Sequence, residues 1–286
     1  MNLSRSEFVS VRGLRYHVRR WGPVDAPMLF LCHGWMDVSA TFTPVAERLS
    51  PQLQVLAPDW RGFGESEWPE DGYWFADYVA DLDALVEHYS PGRPILLAGH
   101  SMGATAVCHF AGLRPERVAK LAVLDGLALP DGDSRKIVSA YRRWLDALQH
   151  PPETPSYRSF EELAGRVHKR HPHLDVERCL FIAHCWGKLE EDGRVRLQAD
   201  PRHLLNMPRT YLQADSDAIW AGITAETLFI DGGSSVFRRT LPAGEIARRR
   251  ALFRNHREVE IENAGHMLHF EAPEALAARL TEFFAG

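Results

Sequence analysis

Long apolar runs, paired cysteines and an excess of one charge are all missing from this chain, and each absence excludes a class. No uninterrupted hydrophobic stretch approaches the roughly 20 residues that cross a bilayer. The four cysteines, Cys32, Cys108, Cys179 and Cys185, form no C-x-x-C pair. That argues against a disulfide framework and for reduced thiols in the cytoplasm. A formal charge of −5 over 286 residues gives no strong field for nucleic acid or an anionic membrane. Met1 to Arg20 carries Arg5, Arg12, Arg15, Arg19 and Arg20 without an apolar h-region, so no secretory signal is read there. Also missing are H-E-x-x-H, a P-loop, and a G-x-G-x-x-G between strand and helix. The expectation is therefore a cofactor-free protein without a metal. His168, His171 and His173 cluster beside Lys169 and Arg170, but Pro172 breaks their spacing, and a solvated polar segment is expected. The basic run Arg248-Arg249-Arg250 is likewise read as a solvated helix face, with Glu245 and Glu258 nearby.

What is present is alternation of strand and helix. Hydrophobic residues make up 45% of the chain, enough for a substantial core. Phe8 to Trp21 alternates apolar and polar residues around Gly13 and predicts a hairpin. Short apolar runs at 28–32, 55–57, 94–98, 118–124, 227–230 and 259–261 predict strands. Helical spacing predicts helices over 39–49, 72–89, 104–110, 242–253 and 273–284. This pattern argues for a mostly parallel sheet flanked by helices, an α/β class. Residues 1–129 and 224–286 carry the alternation. Residues 130–223 break it with proline, arginine and aromatics, including Tyr141, Trp144, Phe160, Trp186 and Trp220. A helical cap inserted into the α/β core is expected there, with strands hard to find.

The most informative stretch is Gly99-His100-Ser101-Met102-Gly103. A serine between a predicted strand and a predicted helix sits on a tight turn that only small neighbours permit, which is a nucleophile elbow. Ser101 is thus the candidate nucleophile. A serine hydroxyl needs a base to take its proton. Among 14 histidines, His266 stands out because it follows Gly265 in a loop after the last predicted strand. His269 is its local rival.

These motifs, in order, resemble the α/β-hydrolases with a cap inserted after the sixth strand. His33-Gly34-Trp35 follows the third strand, Asp59-Trp60-Arg61-Gly62-Phe63-Gly64-Glu65-Ser66 the fourth, the elbow the fifth, and Ala264-Gly265-His266 the last. Within that superfamily, His33-Gly34-Trp35-Met36-Asp37 and Asp200-Pro201-Arg202 resemble the serine hydrolase-like proteins. The resemblance implies a third catalytic group, an aspartate in a G-x-x-D pattern after the seventh strand. Here those residues read Gly232-Gly233-Ser234-Ser235, and a serine stands where the aspartate is expected. Two substitutes satisfy the chain order. Asp125 ends the sixth strand and is favoured because related families use that position. Asp231 ends the seventh strand and is the alternative acid. The oxyanion hole is expected from the backbone N–H groups of Met102 and Trp35. His33, Asp59, Arg61 and Gly62 are expected to organise loops.

These residues imply a serine hydrolase acting on a small to medium, fairly apolar carboxylic ester. Serine at the elbow argues against a dehalogenase or epoxide hydrolase, where a carboxylate attacks. Two rivals stay open. One is carbon–carbon bond hydrolysis of a diketone-like substrate, and the other is a binding protein that keeps the pocket without turnover. The partner expected is a small molecule, with neither nucleic acid nor membrane.

Overall fold

A computed structural model of the chain describes residues 4–205, 207–208 and 211–285. Arg12 and Gly13 both take positive φ, 47° and 85°, as a two-residue hairpin turn matched to strand twist requires. Across that turn β1 (Arg5–Val11) and β2 (Leu14–Trp21) pair antiparallel. The next apolar runs form β3 (Met28–Cys32) and β4 (Gln54–Pro58). The helix expected between them divides into a 3₁₀ turn, Ser39–Phe42, and α1 (Thr43–Leu49). Pro44 sits in the first turn of α1, where its missing N–H costs no helical bond. Then follow α2 (Phe75–Tyr89), β5 (Ile95–His100), α3 (Met102–Leu113) and β6 (Val118–Leu124).

Residues 130–223 contain α4 (Ile137–Gln149), β7 (Ser156–Tyr157), α5 (Phe160–Arg170), α6 (Val176–Trp186), β8 (Gly187–Leu189), β9 (Val195–Leu197) and α7 (Gln213–Trp220). The three strands form a small antiparallel sheet in the order β7-β9-β8. Sequence periodicity misses them because strands of two or three residues carry no pattern. Leu163 and Val167 of α5 and Ile182 and Ala183 of α6 share an apolar cluster with Tyr157 and Val195. Trp220 and Ile223, by contrast, join the core of the main sheet.

The alternation resumes with β10 (Glu226–Gly232), α8 (Glu245–Arg250), β11 (His256–Ile261), α9 (Leu268–Glu271) and α10 (Pro273–Ala285). The helix expected over 242–253 is shorter: it starts after Gly244, whose φ of 80° keeps that residue outside the helix, and it ends at Arg250.

The main sheet runs β1-β2-β4-β3-β5-β6-β10-β11, parallel from β4 to β11. Leu29 and Leu31 face one cluster with α1 and α10, while Phe30 and Cys32 face the other with α2 and α3. Burial on both faces explains the unbroken apolar runs. Cys32 pairs with Gly99, His100 with Leu124, and Leu124 with Ile230. The residues that follow β3, β5, β6 and β10 therefore emerge together at one edge, where open α/β sheets bind ligands. Among the described residues no helix is long and apolar enough to cross a membrane.

Candidate active site

Ser101 occupies a backbone conformation that L-residues rarely adopt, φ 52° and ψ −114°, a strain of about 1–3 kcal/mol that clusters at functional positions. Its neighbours must be glycine. A β-carbon on Gly99 would lie 2.5 Å from the Gly103 carbonyl oxygen, and one on Gly103 would lie 2.4 Å from that of Cys32. The sharp turn between β5 and α3 lifts the hydroxyl above the sheet edge, with the α3 N-terminus behind it.

His266 lies between Ser101 and Asp125. Its Nε2 is 3.0 Å from Ser101 Oγ and its Nδ1 is 2.6 Å from Asp125 Oδ2. Asp125 is fully buried at the end of β6, again with a positive φ of 42°. Asp125 Oδ1 accepts from the Gly232 amide at 3.1 Å. Ser235 Oγ donates to Asp125 Oδ2 at 2.6 Å. The serine that replaces the expected G-x-x-D aspartate thus holds the carboxylate on the neighbouring strand end.

Asp231, the other aspartate that fits the chain order, is engaged elsewhere. Arg250 donates to both of its carboxylate oxygens, at 2.8 and 2.6 Å. Arg250 is buried, as is Arg249, so the expected solvated basic face is corrected for these two. Arg249 donates to the Leu127 and Leu129 carbonyls, each at 2.8 Å, and to Glu245. Buried guanidinium groups persist here because carboxylates and carbonyls pair with their terminal nitrogens. Arg249 thereby fixes the segment that follows Asp125. A sequence signal for this was available only in hindsight, since a run of three arginines gives no sign of which face is buried.

Sequence reasoning also missed Glu271. Its Oε2 accepts the Gly265 amide at 2.6 Å and its Oε1 accepts the Met267 amide at 3.3 Å, one on each side of His266. His171 and His173 each approach it at 3.1 Å. The segment expected to be simply solvated is therefore docked in part on the histidine loop. Burial alone would raise the Glu271 pKa. The His171 bond and the Gly265 amide outweigh it and bring the group down to about 2. Its ionised form thus stabilises the fold above the ordinary glutamate pKa of about 4.3, and this contribution is lost as pH falls toward 2. The Tm gap between wild type and Glu271→Gln is expected to be full above about pH 5 and to shrink on acidification. A gap independent of pH would contradict this.

The remaining loops are organised as expected. Trp60 donates its amide N–H to His33 Nε2 and its indole N–H to the His33 carbonyl, both at 2.9 Å. Asp59 accepts from the Ser39 and Glu65 amides, and Arg61 pairs with Asp81 at 2.6 Å. A β-carbon on Gly34 would lie 3.1 Å from Ser101 Cβ, so the loop carrying Trp35 passes directly over the elbow. Trp35 and Met102 line a cavity of about 380 Å³ together with Trp74, Tyr78, Trp144 and Leu148. Its walls are largely apolar and its size suits a small organic substrate.

Comparison with known proteins agrees with this architecture. The chain is 26% identical over 280 residues to a 2-(acetamidomethylene)succinate hydrolase of Mesorhizobium japonicum, covering 97% of this chain and 94% of that protein. It is 28% identical over 261 residues to an esterase of Mycobacterium tuberculosis, covering 90% and 82%. A thioesterase domain from the curacin biosynthetic pathway superposes with a TM-score of 0.84 at 25% identity, covering 98% of this chain and 99% of that one. Residues 29–279 match the sequence model of the alpha/beta hydrolase family, and the chain belongs to that family.

Proposed function

We propose that this hydrolase is a serine enzyme that cleaves small to medium, apolar carboxylic esters through an acyl-enzyme. The observation that carries the reading is the continuous line from Ser101 Oγ through His266 to Asp125. In the first half-reaction Ser101 Oγ attacks the ester carbonyl carbon while His266 Nε2 takes the hydroxyl proton. The Asp125 carboxylate accepts from Nδ1–H, keeps the tautomer correct and stabilises the imidazolium. The amides of Met102 and Trp35 meet the developing oxyanion. As the tetrahedral intermediate collapses, the C–O bond breaks and His266 returns its proton to the leaving alkoxide. Water, deprotonated by the same imidazole, then releases the acid and restores Ser101.

The segment 130–223 acts as a cap in this reading. Trp144 and Leu148 of α4 wall the cavity that Trp35 and Met102 enter, so acyl or alcohol groups dock between aromatic faces. The four cysteines, buried and free, suit a reducing cytoplasm. The likeness to a thioesterase domain favours one second reading, thioester cleavage by the same acyl-enzyme.

A p-nitrophenyl ester series of rising acyl length, run beside the matching thioesters, tests the assignment. Turnover that peaks at one short or medium chain and vanishes in Ser101→Ala supports it. Faster thioester turnover at equal acyl length moves the second reading forward. No turnover of either class, with Ser101 unreactive, favours a binding protein.

A further inference from the structure

The cavity beside the elbow carries more aromatic surface and more negative charge than a plain ester needs. Six aromatic side chains line it: Trp35, Tyr73, Trp74, Phe75, Tyr78 and Trp144. Two of them, Trp35 at 50% and Trp74 at 41%, are among the exposed large hydrophobic residues of the chain. Trp74 stands at the start of α2 and Trp144 on α4. Their ring centroids lie 6.3 Å apart at an interplanar angle of 58°, which makes a wedge between the two helices. Glu70 and Asp71, both exposed, line the same cavity. Neither carboxylate has an ion-pair or hydrogen-bond partner among the described residues. We propose that this cavity binds a methylated ammonium group, so that the substrate is an ester whose non-reacting end is a quaternary ammonium cation. The inference deepens the proposed hydrolase reading and rests on it for the bond that is cleaved.

Charge balance favours a cation. Among the described residues Arg202 is the only arginine or lysine that lines the cavity, and its charge is already met. Its Nε and Nη2 donate to Asp200 Oδ2 at 2.9 and 2.6 Å. Nη1 donates to the Glu70 carbonyl at 3.0 Å and Nη2 to the Pro69 carbonyl at 2.7 Å. These bonds hold the backbone that carries Glu70, so Arg202 positions an acid rather than receiving an anion. His203 adds no charge at neutral pH, because burial pushes its pKa down to about 3. The two free carboxylates are left as the uncompensated charge of the lining.

The aromatic walls decide which kind of cation. A cation within about 6 Å of a ring centroid is attracted to the negative face of the ring, most strongly for tryptophan. Arg202 already uses Tyr73 in this way, with Cζ 5.7 Å from the ring centroid. No described arginine or lysine lies over Trp35, Trp74 or Trp144. A primary ammonium would bring three N–H donors, and rings give such donors no full acceptor. A quaternary ammonium has no N–H to satisfy, and its methyl-covered surface suits apolar walls. Glu70 and Asp71 attract it through space without direct contact. Met102 and Trp35, whose amides serve the oxyanion in the proposed reading, line the same cavity. One ligand can therefore present its carbonyl to the elbow and its cation to the wedge.

The test is calorimetry of the full-length Ser101→Ala protein with three ligands. These are choline, its uncharged isostere in which carbon replaces nitrogen, and tert-butylacetate, an anion of similar branched shape. Choline should bind at least tenfold more tightly than the isostere, as one or two cation–π contacts allow. Trp74→Leu and Trp144→Leu should each remove most of that ratio. Glu70→Gln combined with Asp71→Asn should lower it several-fold, and by less at high salt. Trp68→Leu, at an exposed tryptophan outside the cavity lining, should leave the ratio unchanged. Should Trp74→Leu not fold, Trp144→Leu on the surface helix and the three-ligand comparison still decide. Equal affinity for choline and its isostere overturns the proposal, as does tighter binding of tert-butylacetate or no binding of choline. So does a ratio that survives both tryptophan substitutions or falls in Trp68→Leu. Wild type should cleave the acetate ester of choline with kcat/KM at least tenfold above that of the isosteric acetate. Selective choline binding without turnover of any ester by wild type would retain the site and remove the hydrolase reading alone.

Discussion

Ser101→Ala is expected to lower kcat on ester substrates by on the order of 10⁶-fold, with Tm nearly unchanged. The hydroxyl forms no part of the core, and alanine fits the same cramped turn between Gly99 and Gly103. The strained φ of 52° is imposed by the surrounding strand and helix rather than by the hydroxyl. What disappears is the covalent route, because the His266 imidazole then has no proton to take from an attacking oxygen. Steady-state kinetics with active-site titration measures the loss. A variant that keeps even one per cent of wild-type kcat would contradict the acyl-enzyme mechanism.

Asp125→Asn is expected to cost about 10⁴-fold in kcat with little change in KM. The amide preserves shape but can present its NH₂ to Nδ1, which favours the wrong tautomer of His266. It also removes the negative charge that balances the imidazolium. Ser235→Ala should show a smaller loss of the same kind, because its hydroxyl bonds the same oxygen as His266. Asp231→Asn provides the contrast. It loosens a buried bidentate pair with Arg250, for which about 3 kcal/mol of stability is a reasonable cost. Chemical denaturation should register that change, with kcat altered far less than in Asp125→Asn. If the two variants exchange these behaviours, the acid is Asp231.

The sequence was most legible where local chemistry leaves few options. Gly99, Ser101 and Gly103 between an apolar run and a helix allow essentially one turn, and a mostly parallel sheet follows from buried strands alternating with helices. The choice between Asp125 and Asp231 could not be made from chain order, since both end adjacent parallel strands. Side-chain partners distinguish the two, and these depend on contacts far apart in sequence, such as Ser235 to Asp125 and Arg250 to Asp231. Glu271 escaped notice for a similar reason. A glutamate in a short helix looks like surface until the backbone of Gly265 and Met267 turns its amides toward it. His269, the rival for the role of base, is buried within α9 and faces Asp37 instead of Ser101. His266 was separable from it in sequence by its place after Gly265 in the loop that follows the last strand. The small sheet of residues 156–197 was invisible because its strands are shorter than any periodicity.

Exposure of the purified protein to a fluorophosphonate probe, with the labelled peptide identified by mass spectrometry, tests the central claim most directly. The account predicts a single adduct on Ser101, formed rapidly in wild type and far more slowly in Asp125→Asn. No adduct, or one on a residue other than Ser101, would contradict it.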